Sequence, residues 1–177
     1  MRGGVTPTRQ VTVLDVAAWT AVGRLMGMHE DEIEDLRVTA LLHDIGMLSV
    51  PEAIPTSPRR LSEEEMTELR GHPVHGATLT RDANFPERVQ QAVRSHHERV
   101  DGAGYPDGLA GDAIPTASRI LSVCDAFVAL ISDRPHRPAV SVTEALETLR
   151  ASAGSHYDAG VVEMFADAQA EVAAEGA

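Results

Sequence analysis

Apolar residues recur at three- and four-residue spacing along almost the whole chain, and no stretch alternates apolar with polar residues for the length of a useful strand. That property restricts the chain to helices packed on helices. Aromatic residues make up only 3% of it, so the core is to be built from Ala, Leu, Val, Ile and Met. Such side chains suit helices that approach one another closely. At 177 residues there is material for one domain with a sizeable core.

Local signals divide the periodic stretch. A first helix is expected from about Val11 to Met26, with Val13, Val16, Ala17, Ala21 and Leu25 inward. The second opens in the acidic "EDEIEDLR", whose carboxylates suit the positive end of a helix dipole. It carries Ile33, Leu36, Ala40 and Leu41 up to His43 and Asp44, and Gly46 is placed to end it. Ser62 and Glu65 form a capping-box pair opening a short helix to about Arg70. Pro73, Pro86 and Pro115 mark three more starts, and two last helices are expected near Val142 to Ala151 and Asp158 to Ala170. The spacing predicts an all-α single domain of seven or eight helices over residues 11–172. Residues 1–10 read as a disordered lead-in and 173–177 as a frayed tail.

A net charge of -12 argues against binding to a nucleic-acid polymer. No apolar run approaches the roughly 20 residues of a membrane span, and "MRGGVTPTRQ" has no apolar signal region. A single Cys excludes a disulfide framework and fits a reducing compartment. Together these predict a cytoplasmic protein away from the membrane.

The chemistry lies in the histidines. His43 with Asp44, His72, and His96 with His97 each fall at or near an expected helix end. Asp125 sits in the most apolar helix, between "LSVC" and "AFVAL", where a carboxylate is costly unless paired or metal-bound. Imidazoles and carboxylates together are good ligands for first-row transition metals. Four His and two Asp exceed the needs of one ion and suit two ions sharing a bridging carboxylate. Such a pair serves metal-assisted hydrolysis of a phosphoester. His29 and His156 read as surface residues, His75 as a surface residue or one that supports a ligand, and Cys124 as a small core residue. Glu98 reads as orienting a ligating histidine or pairing with an arginine.

The stretches "LLHDIG", "GHPVHG", "HHERVDGAGYPDGL", "IP…SRILSVCDAF" and "SDRPHR" occur in the order and spacing of the HD-GYP family. That family is a branch of the HD-domain metal-dependent phosphohydrolases, and the resemblance covers roughly residues 12–170. It implies an HD-domain-like helical bundle with a Gly-rich loop carrying the Gly-Tyr-Pro triplet. His43 and Asp44 match the HD pair, with Asp44 as the bridge between metals. His72, His96 and His97 match the ligands of the second metal, and Asp125 the residue that closes the first. Gly104, Tyr105 and Pro106 match the triplet, whose loop lines the substrate groove. Arg134 and Arg137 match basic positions that contact substrate phosphate.

The implied activity is a phosphodiesterase that opens cyclic di-GMP to pGpG or onward to GMP, with related cyclic dinucleotides as variants. The implied cofactors are two divalent ions, iron or manganese first, with zinc or nickel also acceptable to these ligands. Receiver, sensor or GGDEF-type domains are the expected neighbours in longer bacterial regulators, and a homodimer is an expected assembly. Three places depart from the family's pattern, the last a lesser change. Met47 stands where a lysine usually ends the HD motif, and Val11 and Thr12 stand where a first-helix histidine is usual. His136 stands where tyrosine is common. These departures motivate a rival reading, a non-catalytic module that binds a cyclic dinucleotide or a partner protein.

Overall fold

The computed structural model describes residues 13–133 and 137–175. Among them eight α-helices follow in order: α1 Val13–Leu25, α2 Glu30–Leu42, α3 Glu63–Arg70, α4 His72–Asp82, α5 Glu87–Ser95, α6 Thr116–Leu130, α7 Val142–Ala151 and α8 Ala159–Glu175. Two short 3-10 segments, Ile45–Ser49 and Gly111–Ala113, interrupt the loops. Extended pairing among the described residues is limited to isolated bridges. The all-α expectation holds.

The helix starts follow from their caps. Ser62 accepts the Glu65 N–H at 3.2 Å while the Glu65 carboxylate accepts the Ser62 N–H at 2.8 Å. Ser141 and Glu144 repeat the arrangement at α7. Pro86 and Pro115 occupy the N-cap positions of α5 and α6, and Pro73 the first turn of α4.

Helix α6 runs through the core. Ile120, Leu121, Val123, Cys124, Phe127 and Val128 are buried there, and the helix packs on α1, α2, α5, α7 and α8. Phe127 meets Phe165 of α8 edge-on, with ring centroids 4.8 Å apart, a pairing worth about 1 kcal/mol beyond area burial. Two residues expected inward point outward: Leu25 is 43% exposed and Leu41 62%. The inward stripe of α1 runs through Trp19 and Val22, and that of α2 through Ile33, Leu36 and Ala40. Leu41 lies one position past Ala40, about 100° around the helix, and Leu25, the last residue of α1, lies six positions past Trp19, about 120° from it.

Gly46 does not cap α2, which ends at Leu42. It is buried in the 3-10 segment, packed so tightly on α4 that a Cβ would overlap the His72 carbonyl and the Gly76 amide. This contact brings the Asp44 segment against the start of α4. The C-terminal ends of α2, α3 and α5 thereby meet beside α6.

Candidate metal centre

The last turns of a helix leave carbonyl oxygens without intrahelical partners. Three times the chain answers such a carbonyl with an imidazole. His43 Nδ1 donates to the Ala40 carbonyl at 2.8 Å, His72 Nδ1 to Leu69 at 2.7 Å, and His96 Nδ1 to Val93 at 2.6 Å. A carbonyl can only accept, so each Nδ1 carries the proton and each Nε2 keeps a lone pair when the ring is neutral. All three residues are buried.

The free nitrogens gather around Asp44. Its Oδ2 lies 3.4 Å from His43 Nε2, and its Oδ1 lies 3.4 Å from His72 Nε2 and 3.7 Å from His96 Nε2. One oxygen thus faces one histidine and the other faces a different pair. Ligand atoms of Asp44, His72, His96 and His97 all lie within 4.8 Å of one another. Asp125 stands apart from that group, in a cavity wall shared with His43.

The electrostatics follow from this crowding. Burial would raise the Asp44 carboxyl, but its contacts to His43, His72 and His96 outweigh that and hold it well below the usual carboxylate range. Burial would lower His43, yet the Asp44 hydrogen bond and charge raise it, with Asp125 adding to the effect. His97 has burial and its imidazole neighbours acting together, which push it down to about 2. It therefore stays neutral and able to ligate. His72 Nε2 and His96 Nε2 approach to 3.1 Å, and two lone pairs at that separation repel unless a proton or a cation joins them. A mixed nitrogen and oxygen set held this way fits a divalent transition metal.

The Gly-rich loop covers the cluster. The Tyr105 ring stacks on His97, with centroids 4.9 Å apart and planes 28° from parallel. Burial pushes the Tyr105 hydroxyl up to about 12. Glu98 does neither of the things expected from sequence. Its buried carboxylate accepts the backbone N–H groups of Asp107, Gly108 and Leu109 at 2.7–3.1 Å. Arg94 adds a two-pronged pair to Asp107 at 2.7 and 2.8 Å. At Gly104 a Cβ would overlap the backbone of Glu98 and Arg99, so the protein's own chain is what requires glycine there.

A cavity of about 240 Å³ opens beside the cluster, walled in part by His43, His96, His97, Arg99, Asp125 and Tyr157. Arg99 and Tyr157 were not legible as site residues, because nothing in "HERV" or "SHYD" sets them apart from surface sequence. Trp19 was also missed; its ring meets the His43 ring edge-on at 6.3 Å. Arg137 donates to the Ala129 carbonyl at 2.6 Å and the Leu130 carbonyl at 3.3 Å, at the end of α6. Arg134 and His136, like Val11 and Thr12, lie outside the described residues. Met47 is half-buried in the 3-10 segment after Asp44, and His29, His75 and His156 are exposed as expected.

Residues 6–161 match the HD domain family. The cyclic di-GMP phosphodiesterase response regulator RpfG of Xanthomonas campestris pv. campestris is 36% identical over 153 residues, covering 85% of this chain and 40% of that protein. The 3'3'-cGAMP-specific phosphodiesterase 1 of Vibrio cholerae is 36% identical over 125 residues, covering 71% of this chain and 29% of that protein. The chain thus spans well under half the length of either relative. The solved structure of Bd1817, an HD-GYP protein of Bdellovibrio bacteriovorus, superposes with a TM-score of 0.69 at 22% identity, over 89% of this chain and 51% of that one. With the ordered histidines, the place of Asp44 among them and the Gly-Tyr-Pro loop, this chain belongs to the HD-domain family, in its HD-GYP branch.

Proposed function

We propose that the chain is a phosphodiesterase domain that hydrolyses a cyclic dinucleotide, cyclic di-GMP first and a cyclic GMP-AMP dinucleotide as the related alternative. The observation that carries the reading is Asp44, whose two carboxylate oxygens face His43 on one side and His72 with His96 on the other. His72, His96, His97 and Asp44 Oδ1 would hold one divalent ion; His43, Asp125 and Asp44 Oδ2 would hold a second. Ions bound there would supply concentrated positive charge for the phosphoryl oxygens and make water a usable nucleophile near neutral pH. Iron or manganese is the expected occupant of both positions.

The protein's own groups do the positioning. The Nδ1 bonds to helix-end carbonyls fix three imidazole rings before any ligand arrives, which lowers the ordering cost of binding. Tyr105, its ring stacked on His97, offers its hydroxyl edge for a hydrogen bond near a substrate phosphate. Glu98 and Arg94 hold the loop that carries Tyr105. Arg134 and Arg137 are phosphate contacts on the strength of the family resemblance; Arg137 has one terminal nitrogen on the Ala129 and Leu130 carbonyls and its other donors for the contact. We place the domain at residues 11–172, in the cytoplasm. Among the described residues no helix is long and apolar enough to cross a membrane.

The test is product formation from cyclic di-GMP by manganese- or iron-loaded protein, with His97→Ala alongside. Linear product from the native protein and a loss of at least about 100-fold in His97→Ala are expected. Tight binding of cyclic di-GMP without turnover would replace the enzyme by the non-catalytic module. Full turnover in a folded, metal-free His97→Ala protein would contradict the metal site.

A further inference from the structure

The sequence contains no lysine, so every strong cation in the chain is an arginine. Most arginines with described side chains sit against a carboxylate. Among the described residues the exceptions are Arg60, Arg70 and Arg137. Arg60 is in the loop before α3, and Arg137 turns one terminal nitrogen to the carbonyls at the end of α6. Arg70 alone lies against a site residue: its guanidinium carbon is 5.5 Å from the centre of the Tyr105 ring. That ring in turn stacks on His97.

A contact to a π face uses the charge of a guanidinium without consuming its N–H donors. Arg70 is exposed, is held two residues before His72, and keeps those donors unspent in a chain of net charge -12. Its planar fork matches the non-bridging oxygens of a phosphodiester. Met47, beside Asp44, offers no charge for that task. We propose that Arg70, steadied on Tyr105, binds a substrate phosphate at the exposed edge of the histidine cluster and supplies the charge that Met47 does not. This rests on the cyclic dinucleotide reading above and adds to it a specific phosphate-binding residue.

The experiment uses the full metal-loaded chain as Arg70→Ala, Arg70→Lys and the Arg70→Ala/Met47→Lys double variant. It measures KM and kcat on cyclic di-GMP, equilibrium binding of cyclic di-GMP by calorimetry, and metals per chain. Arg70→Ala is expected to raise KM and weaken binding by about 10- to 100-fold, at unchanged metal content and with a flatter salt dependence. Arg70→Lys, which keeps the charge but not the planar fork, should recover only part of the loss. Met47→Lys should recover part of it, which a role confined to holding Tyr105 would not show. If the native enzyme turns over and Arg70→Ala matches it within twofold, the assignment of Arg70 is wrong and the phosphodiesterase reading stands. If the native protein binds without turnover, the enzyme reading falls and the binding ratio alone decides Arg70: a tenfold loss supports it and parity overturns it. A native metal-loaded protein that neither turns over nor binds cyclic di-GMP overturns both. Should Arg70→Ala fail to fold, Arg70→Gln, read the same way, decides.

Discussion

At the residue scale Glu98 teaches most. A carboxylate with 4% exposure normally needs a cation; here three backbone N–H groups of the Gly-rich loop take that part. Glu98→Ala leaves those donors without their acceptor, and the expected cost is about 2 kcal/mol of stability. KM for the cyclic dinucleotide should rise as the loop loosens, while metal content stays. Denaturant unfolding and steady-state kinetics check this; a stability change below about 0.5 kcal/mol would mean the loop is held by Arg94 and packing alone. The sequence could not reveal this role, because "HHERVDG" shows an acid beside two histidines and an arginine, and backbone donors up to eleven positions away leave no local pattern. The candidate ligands were legible for the opposite reason. Their residue types are rare together, and a charged Asp125 inside an apolar helix announces a need.

At the element scale the site is made of helix ends. Each of His43, His72 and His96 bonds a carbonyl three residues back at or near the close of α2, α3 and α5, so moving one helix by a fraction of a turn would misplace a ligand. The capping boxes and proline starts that set these helices could be read from spacing. The 3-10 segment after Asp44 could not, since its geometry is imposed by α4 packing on Gly46. Gly46→Ala should therefore cost about 2–3 kcal/mol and lower manganese affinity at least tenfold, because relief of the overlap shifts Asp44 away from His72. Thermal melts and manganese titration test it. A variant with native affinity would show that the contact is not what places Asp44. Gly27→Ala is the control: its φ of 75° strains an alanine, but nothing lies within 4 Å of the added carbon, so it should leave manganese affinity intact.

At the scale of the whole molecule, burying imidazoles couples the site to folding. His96 and His97 are pushed below their ordinary value of 6.5 by burial, with neighbouring imidazoles adding to it. The unfolded chain takes up protons below that pH which the native chain refuses, so these two groups make stability fall as pH drops through it. His43, raised by Asp44 against its burial, acts in the reverse direction, and two lowered groups outweigh one raised. Metal-free protein should melt lower at pH 5.5 than at pH 7.5; an equal or higher midpoint at pH 5.5 would mean the histidines are not buried as neutral rings. The central claim is that one carboxylate, Asp44, ties two metal positions together. The most direct test counts manganese per chain by elemental analysis in the loaded and desalted protein and in Asp44→Ala. About two ions per native chain, falling well below one in the variant, is the expected result; a native chain that retains none, or an Asp44→Ala chain that retains as many, would contradict it.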